Sequence, residues 1–205
     1  MPTIAIVSQK GGSGKTTLAL HLASCAAYAK LQSLVIDTDP QATASAWGDW
    51  RGEFLPEILT SPPARIGMTI RSAERRGMDF IVIDTPPHAD AAMREAIKAA
   101  DLVLIPTRPR AFDLHALETI ADMVGYARKP AFAVLNAVPA GGTRVVAETA
   151  ARIEDFGIKV CPVSLGERAA FHRSSAKGEV ASEIEPDGKA AGEVSALWKW
   201  LRKQL

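Results

Sequence analysis

The chain has 205 residues, 47% hydrophobic and 23% charged, which is the composition of a globular domain and excludes a disordered or fibrous chain. A domain of this length buries roughly 70% of the surface that its unfolded form exposes. With 24 Lys and Arg against 23 Asp and Glu the net charge is +1, so no global basic field announces a nucleic-acid partner, and the stretch from Arg144 to Leu205 is equally balanced.

Thr3–Val7 is a β-branched apolar run that leads directly into Lys10-Gly-Gly-Ser-Gly-Lys-Thr-Thr17 and then into a helical pattern over 15–30. Glycines let a backbone curl until successive N–H groups point at one anion, and the following helix N-terminus adds its positive end. This is a phosphate loop, in which Gly11, Gly12, Ser13, Gly14 and Thr17 supply the cradle. Lys15 reaches the β- and γ-phosphates, and Thr16 offers a hydroxyl to Mg²⁺. The strict Gly-x4-Gly-Lys-[Ser/Thr] spacing is not met, because Gln9 stands five positions before Gly14. Lys10 precedes the glycine pair instead.

A second run, Ser33–Ile36, ends in Asp37-Thr-Asp39-Pro-Gln, and its two carboxylates, two residues apart in extended chain, point the same way. Helix-compatible segments follow over 41–50 and 67–76, with the proline-containing stretch Leu55–Arg65 between them read as a surface connection. Phe80–Ile83 is an apolar run that delivers one carboxylate, Asp84, as a buried strand delivers an acid to a nucleotide's magnesium. Leu102–Ile105, Ala131–Leu135 and Ile158–Val163 are further runs, with helical patterns over 90–100, 113–128 and 144–156. Nearly continuous apolar strands alternating with helices predict an α/β, doubly wound, mostly parallel sheet with helices on both faces, as a single domain over 1–205. Ligands of such sheets bind beyond the carboxyl ends of the strands, where the loop and the acids fall.

From Glu167 the tail reads as two helices about a turn at Glu185-Pro-Asp-Gly188. In the last helix Val194, Leu197, Trp198, Leu201 and Leu205 share a face, with Lys199, Arg202 and Lys203 beside it. This pattern fits a helix docked on the sheet or a basic amphipathic membrane anchor. No apolar segment approaches the ~20 residues of a membrane span. The first strand-like run begins at Thr3, which leaves no room for a signal peptide. Cys25 and Cys161 stand in apolar stretches without a Cys-x-x-Cys or His/Cys cluster, so they are expected to be inert thiols in a reducing, cytoplasmic compartment.

With Lys10 ahead of the glycines, Asp39-Pro-Gln41 after the second run and Asp84-Thr-Pro-Pro87 after the third, nearly the whole chain resembles the deviant Walker A ATPases. That family includes the ParA, MinD and nitrogenase iron-protein branches. The resemblance implies ATP/ADP and Mg²⁺ as cofactors. It implies that Lys10 reaches the partner subunit's nucleotide in an ATP-dependent homodimer, that Asp39 positions the attacking water, and that Asp37 helps hold the Mg²⁺ hydration shell. Thr85 and the prolines resemble the family's γ-phosphate-sensing switch. Asn136 is the implied adenine contact, with Pro162 and Val163 as neighbours, and Ile105–Leu114 resembles a segment found at the dimer face. Cluster cysteines of the reductase branch are absent from the relevant loops. The tail Glu167–Val180 and Asp39-Pro-Gln41 look like short, single-domain ParA proteins that lack an N-terminal helix-turn-helix domain. Such proteins bind DNA non-specifically, work with a ParB-like centromere-binding protein that stimulates hydrolysis, and segregate plasmids or position cargo, associated with the nucleoid. Candidate DNA contacts are Arg144, Arg168, Arg173, Lys177 and Lys203. A MinD-like membrane-associated regulator is the alternative.

Overall fold

The computed structural model describes residues 1–52 and 55–205, and the side chains of all of these except 111–116. Its strands are β1 (Thr3–Ile6), β2 (Ser33–Asp37), β3 (Glu57–Thr60), β4 (Phe80–Asp84), β5 (Leu102–Thr107), β6 (Ala131–Leu135) and β7 (Lys159–Val160). The helices are α1 (Lys15–Tyr28), α2 (Thr43–Arg51), α3 (Ile66–Arg75), α4 (Asp90–Ala99), α5 (Ala111–Ala127), α6 (Thr143–Glu154), α7 (Ala169–Ser175), α8 (Ala181–Ile184) and α9 (Lys189–Leu201). The strands form one seven-stranded sheet in the order β3-β2-β4-β1-β5-β6-β7. Every pairing is parallel.

Both faces of the sheet are covered, which is why its strands read as unbroken apolar runs. Ile4 and Ile6 of β1, Val35, Phe80 with Val82, and Leu102 with Leu104 face a core built with α1, α2, α7, α8 and α9. Their neighbours Ala5, Val7, Leu34, Ile36, Ile81, Ile83, Val103 and Ile105 face the opposite core under α3 to α6. The order places β1 between β4 and β5, so the loop leaving β1 opens at the middle of the carboxyl edge.

Three sequence expectations need correction. The stretch Leu55–Arg65 is more than a surface connection, because Glu57–Thr60 pairs with β2 as the edge strand. Pro56 and Pro62 bracket it, and edge strands tolerate proline where central ones do not. The last strand keeps only Lys159–Val160 of the expected 158–163. The tail forms three helices, since Ala181–Ile184 makes a further short turn of helix.

The last helix docks on the sheet. Val194, Leu197 and Leu201 are buried, Trp198 stacks edge-on against Phe80 at 5.2 Å, and Trp200 does the same against Phe132 at 4.9 Å. Among the residues of its expected apolar face, Leu205 alone is exposed. The stripe that a membrane would take is thus spent on the core. Among the described residues no helix is long and apolar enough to cross a membrane.

Residues 178–183 fasten this C-terminal layer to α1 and α2. The indole of Trp47 donates to Glu179 O at 3.1 Å, and Arg51 donates to Gly178 O at 3.1 Å and to Glu183 at 2.7 Å. Tyr28 donates to the same Glu183 carboxylate. Gly178 has φ +71, and a Cβ there would lie 2.4 Å from the backbone nitrogen of Arg51. Buried His21 completes the clasp: Nδ1–H donates to Thr17 O at 2.7 Å, and Nε2 accepts from Ala181 N–H at 3.0 Å. A ring nitrogen accepting a hydrogen bond carries no proton, so His21 is neutral, and burial pushes its pKa down to about 4.

Gly178→Ala is expected to lose at least ~2 kcal/mol in urea unfolding, because both the backbone conformation and the space are wrong for a side chain. For His21 the sign is set by a folded pKa below the ordinary 6.5, so the unfolded chain takes up the proton first and stability falls with pH. The stability advantage of the parent over His21→Gln should therefore shrink by about 2 kcal/mol between pH 7 and pH 5. Parallel denaturant titrations at the two pH values measure this.

Candidate nucleotide site

The loop between β1 and α1 is shaped by two glycines in the left-handed region, Gly12 at φ +71 and Gly14 at φ +97. Gly14 is the N-cap of α1, and its missing side chain matters twice. It permits the left-handed turn, and it admits the amide of Asn136, which a Cβ would meet at 2.1 Å. Asn136, one residue past β6, donates from Nδ2 to Ser13 O at 2.7 Å, while its Oδ1 accepts from Ala137 N–H at 2.9 Å. The Ser13 hydroxyl is buried without a partner among the described residues. Lys15 is 6% exposed, and its ammonium donates to Lys10 O at 3.2 Å across the loop. Burial lowers the Lys15 pKa, with Asp84 and Asp39 pulling it back up.

Two acids arrive on adjacent strands, since Asp37 and Asp84 are register partners. Their environments differ. Asp37 is fully buried, its Oδ1 accepting from Asp39 N–H at 3.0 Å and its Oδ2 from the backbone and hydroxyl of Ser45 at 3.0 and 3.1 Å. It organises the turn into α2. Asp84 is equally buried, yet neither carboxylate oxygen has a hydrogen-bond partner at full bonding geometry among the described residues. Burial pushes its pKa up to about 7, helped by Asp37 and Asp39 and opposed by Thr16 and Lys15. A buried, unsatisfied carboxylate beside a threonine hydroxyl suits a hydrated, oxygen-seeking cation. No group of three His, Cys, Asp or Glu converges as a metal site among the described residues, so the cation's remaining ligands would be water and phosphate. Thr16 and Asp84 fit that role, whereas Asp37 already has both oxygens engaged by the protein.

A cleft of about 380 Å³ opens over the loop, lined by Gly11, Gly12, Gly14, Lys15, Thr16 and Thr17 and by Asp39, Gln41 and Pro87. Asp39 is half-buried, with Oδ1 accepting from Gln41 N–H at 2.9 Å. A larger groove of about 670 Å³ between α4 and α5 is remote from these groups. Lys10 is half-buried, and its ammonium has no partner among the described residues. Pro162 and Val163 follow β7 at the same sheet edge but do not line the cleft. Of the segment Ile105–Leu114, the side chains from Ala111 onward lie outside the described residues.

The five candidate DNA contacts do not form one patch. Arg144 lies on α6, beneath the opposite sheet face from α7 and α9, and pairs with Glu148. Arg168 pairs with Glu193, which raises its pKa, and Arg173 pairs with Glu185. Three residues near the loop have roles that the sequence reading did not give them, although Gln41 and Arg108 stood in segments it singled out. His21 holds the first turn of α1 to the C-terminal layer, Gln41 lines the cleft, and Arg108 lies 3.8 Å from the position of a Gly12 Cβ. Only the β-strand order, which sets β5 beside β1, brings Arg108 there.

Residues 4–181 match the family described as the CobQ/CobB/MinD/ParA nucleotide binding domain. The chain belongs to this family. As a ParA/MinD-family protein it is a P-loop ATPase, and the two relatives named next match it over almost their whole length. It is 30% identical to the maintenance of carboxysome distribution protein A of Gloeobacter kilaueensis, over 98% of this chain and 93% of that one. It is 29% identical to the protein ParA of Rhizobium radiobacter, over 100% of both. Among solved structures, apo McdA of Cyanothece superposes with a TM-score of 0.77 at 18% identity, covering 98% of this chain and 99% of that one. The Mg-ADP complex of MinD from Pyrococcus horikoshii gives 0.77 at 19% identity, covering 99% and 96%. These likenesses confirm the doubly wound parallel fold of the ParA/MinD ATPases.

The geometry gives Asn136 a task distinct from base recognition. If it braces the loop through Ser13, Asn136→Ala should weaken ATP and GTP binding by similar factors, about fivefold to tenfold for one lost buried hydrogen bond. A residue that only reads adenine would lose ATP alone. Equilibrium titration with fluorescent analogues of both nucleotides separates the two results.

Proposed function

We propose that the chain is a ParA-type ATPase that dimerises on ATP, holds DNA non-specifically in that state and lets go on hydrolysis, so as to segregate DNA or position a cargo. The observation that carries the reading is Lys10. It is a cation at the mouth of the phosphate loop with no partner in its own subunit among the described residues, in a chain matched end to end by a protein ParA. A cation that reaches a neighbouring subunit's nucleotide stabilises charge only when two copies close. ATP binding and dimerisation are then one event.

Within this reading Lys15 and the backbone of Gly11–Thr17 hold the phosphates. Thr16 and Asp84 hold Mg²⁺ with its waters, and Asp37 supports that shell through the turn it organises. The metal, when bound, would neutralise charge developing on the phosphate oxygens. Asp39, at the cleft and half-buried, orients the attacking water. Asn136 is the base-side residue that also braces the loop, with Pro162 and Val163 further along the same edge. Arg168, Arg173, Lys177 and Lys203, on or beside α7 and α9, are the proposed phosphate contacts for DNA, with Arg144 on α6 separate from them and with Arg168 and Arg173 giving up their carboxylate partners to make them. A ParB-like partner completes the cycle by stimulating hydrolysis, and the protein works in the cytoplasm on the nucleoid. The relatives named for carboxysome distribution and for ParA match equally well, so the cargo class is left at DNA or a protein compartment.

The MinD-like membrane alternative is less well supported, because the last helix spends its apolar stripe on the sheet.

The parent chain is expected to retain on DNA-coated surfaces with ATP and to release with ADP. Lys15→Ala should abolish the ATP-dependent part, and retention should fall steeply between about 50 and 200 mM salt. Persistent ATP-dependent retention by Lys15→Ala would refute the phosphate loop as the switch.

A further inference from the structure

We infer that Arg108 is a second cation of the phosphate site, supplied by the same subunit, which grips the terminal phosphate and makes the site prefer a triphosphate over a diphosphate. The inference rests on the nucleotide reading above and adds a residue to it.

Arg108 follows Thr107, the last residue of β5, and β5 lies beside β1 in the sheet. The strand order therefore sets residue 108 over the loop that leaves β1. Its Nη2 lies 3.8 Å from where a Cβ on Gly12 would stand, an ordinary van der Waals distance, so the guanidinium lies beside the loop at Gly12. Its Nε is fully buried and has no hydrogen-bond partner among the described residues. The residue as a whole is half-buried, and no carboxylate pairs with it among the described residues.

An arginine left unpaired with a buried Nε is costly unless an acceptor arrives. Nε and Nη2 form the edge of the guanidinium that takes two oxygens of one phosphate side by side. Here that edge has Nη2 against the loop and Nε without a partner. The position along the loop sets which phosphate is reached. The backbone near Gly14 and the start of α1 cradles the inner phosphates, and Lys15 reaches outward from there. Gly12 lies farther from the helix start, toward the end of the polyphosphate that ADP lacks. A cation at that end gains little from ADP and much from ATP. It also differs in kind from Lys10, which in the reading proposed above serves a partner's nucleotide.

The test measures equilibrium affinities for fluorescent ATP and ADP analogues with Mg²⁺, at protein concentrations where sedimentation shows a monomer. The parent, Arg108→Ala, Arg108→Lys and Lys15→Ala chains are compared, with thermal unfolding as a check on folding. Arg108→Ala is expected to lose about tenfold or more in ATP affinity while its ADP affinity stays within about twofold. Arg108→Lys should recover only part of the loss, because an ammonium lacks the planar fork. ATP affinity within about twofold of the parent would overturn the inference. So would an equal loss for ATP and ADP, or a loss that appears only at concentrations where the chain dimerises. A parent that binds ATP no better than Lys15→Ala would instead overturn the nucleotide reading beneath it.

Discussion

A phosphate loop must present its backbone N–H groups to a ligand, so it cannot satisfy them internally, and something outside the loop has to hold it in shape. In this chain the support comes from Asn136, whose amide lies against Gly14 and donates to Ser13 O. The contact is possible only because residue 14 has no side chain, and it ties the edge after β6 to the loop after β1. Lys15 adds a tie within the loop by donating to Lys10 O. These polar contacts act in a partly buried setting where each is electrostatically stronger than in water, and where breaking one leaves a partner unsatisfied.

Around this point the charges are arranged in opposition. The Lys15 ammonium and Asp84 carboxylate are both buried, and burial disfavours the charged form of each while each favours the charged form of the other. Asp37, on the neighbouring strand, accepts three hydrogen bonds, one from Asp39 N–H and two from Ser45 on α2. Two aspartates of the same burial thus stand in different settings, one shaping a turn and one with both oxygens unpaired among the described residues. The distinction comes from the chain immediately after each acid. Asp37 precedes a turn that brings Ser45 back to it, while Asp84 precedes the prolines at 86 and 87.

Much of this was legible in the sequence. The alternation of β-branched runs and helical patterns pointed to the doubly wound sheet, because strands covered on both faces need apolar residues at every position. The glycine-rich loop and the two strand-end acids were readable because their chemistry is local. What was missed is non-local. Glu57–Thr60 looked like a connection, since its prolines and half-exposed side chains mark an edge strand only once β2 is known to lie beside it. Arg108 could be seen as part of a segment but not placed over Gly12 without the strand order. The basic tail residues looked available for DNA, yet Arg168 and Arg173 find carboxylates from other helices or turns, a pairing that no local pattern encodes.

The clasp at residues 178–183 also bears on how the protein is made. His21 meets Ala181 across a separation of 160 residues, and Trp47 meets Glu179 across 132. Synthesis proceeds from the N-terminus, at about 5–20 residues per second. For much of that time the phosphate loop and α1 have emerged, while the layer that covers α1 has not been translated. The apolar side of α1, including Leu18, Leu22 and Ala26, then has no permanent cover. A ribosome-bound intermediate would carry the nucleotide-binding motif without the packing that steadies it, and would offer that surface to chaperones until the last helices arrive.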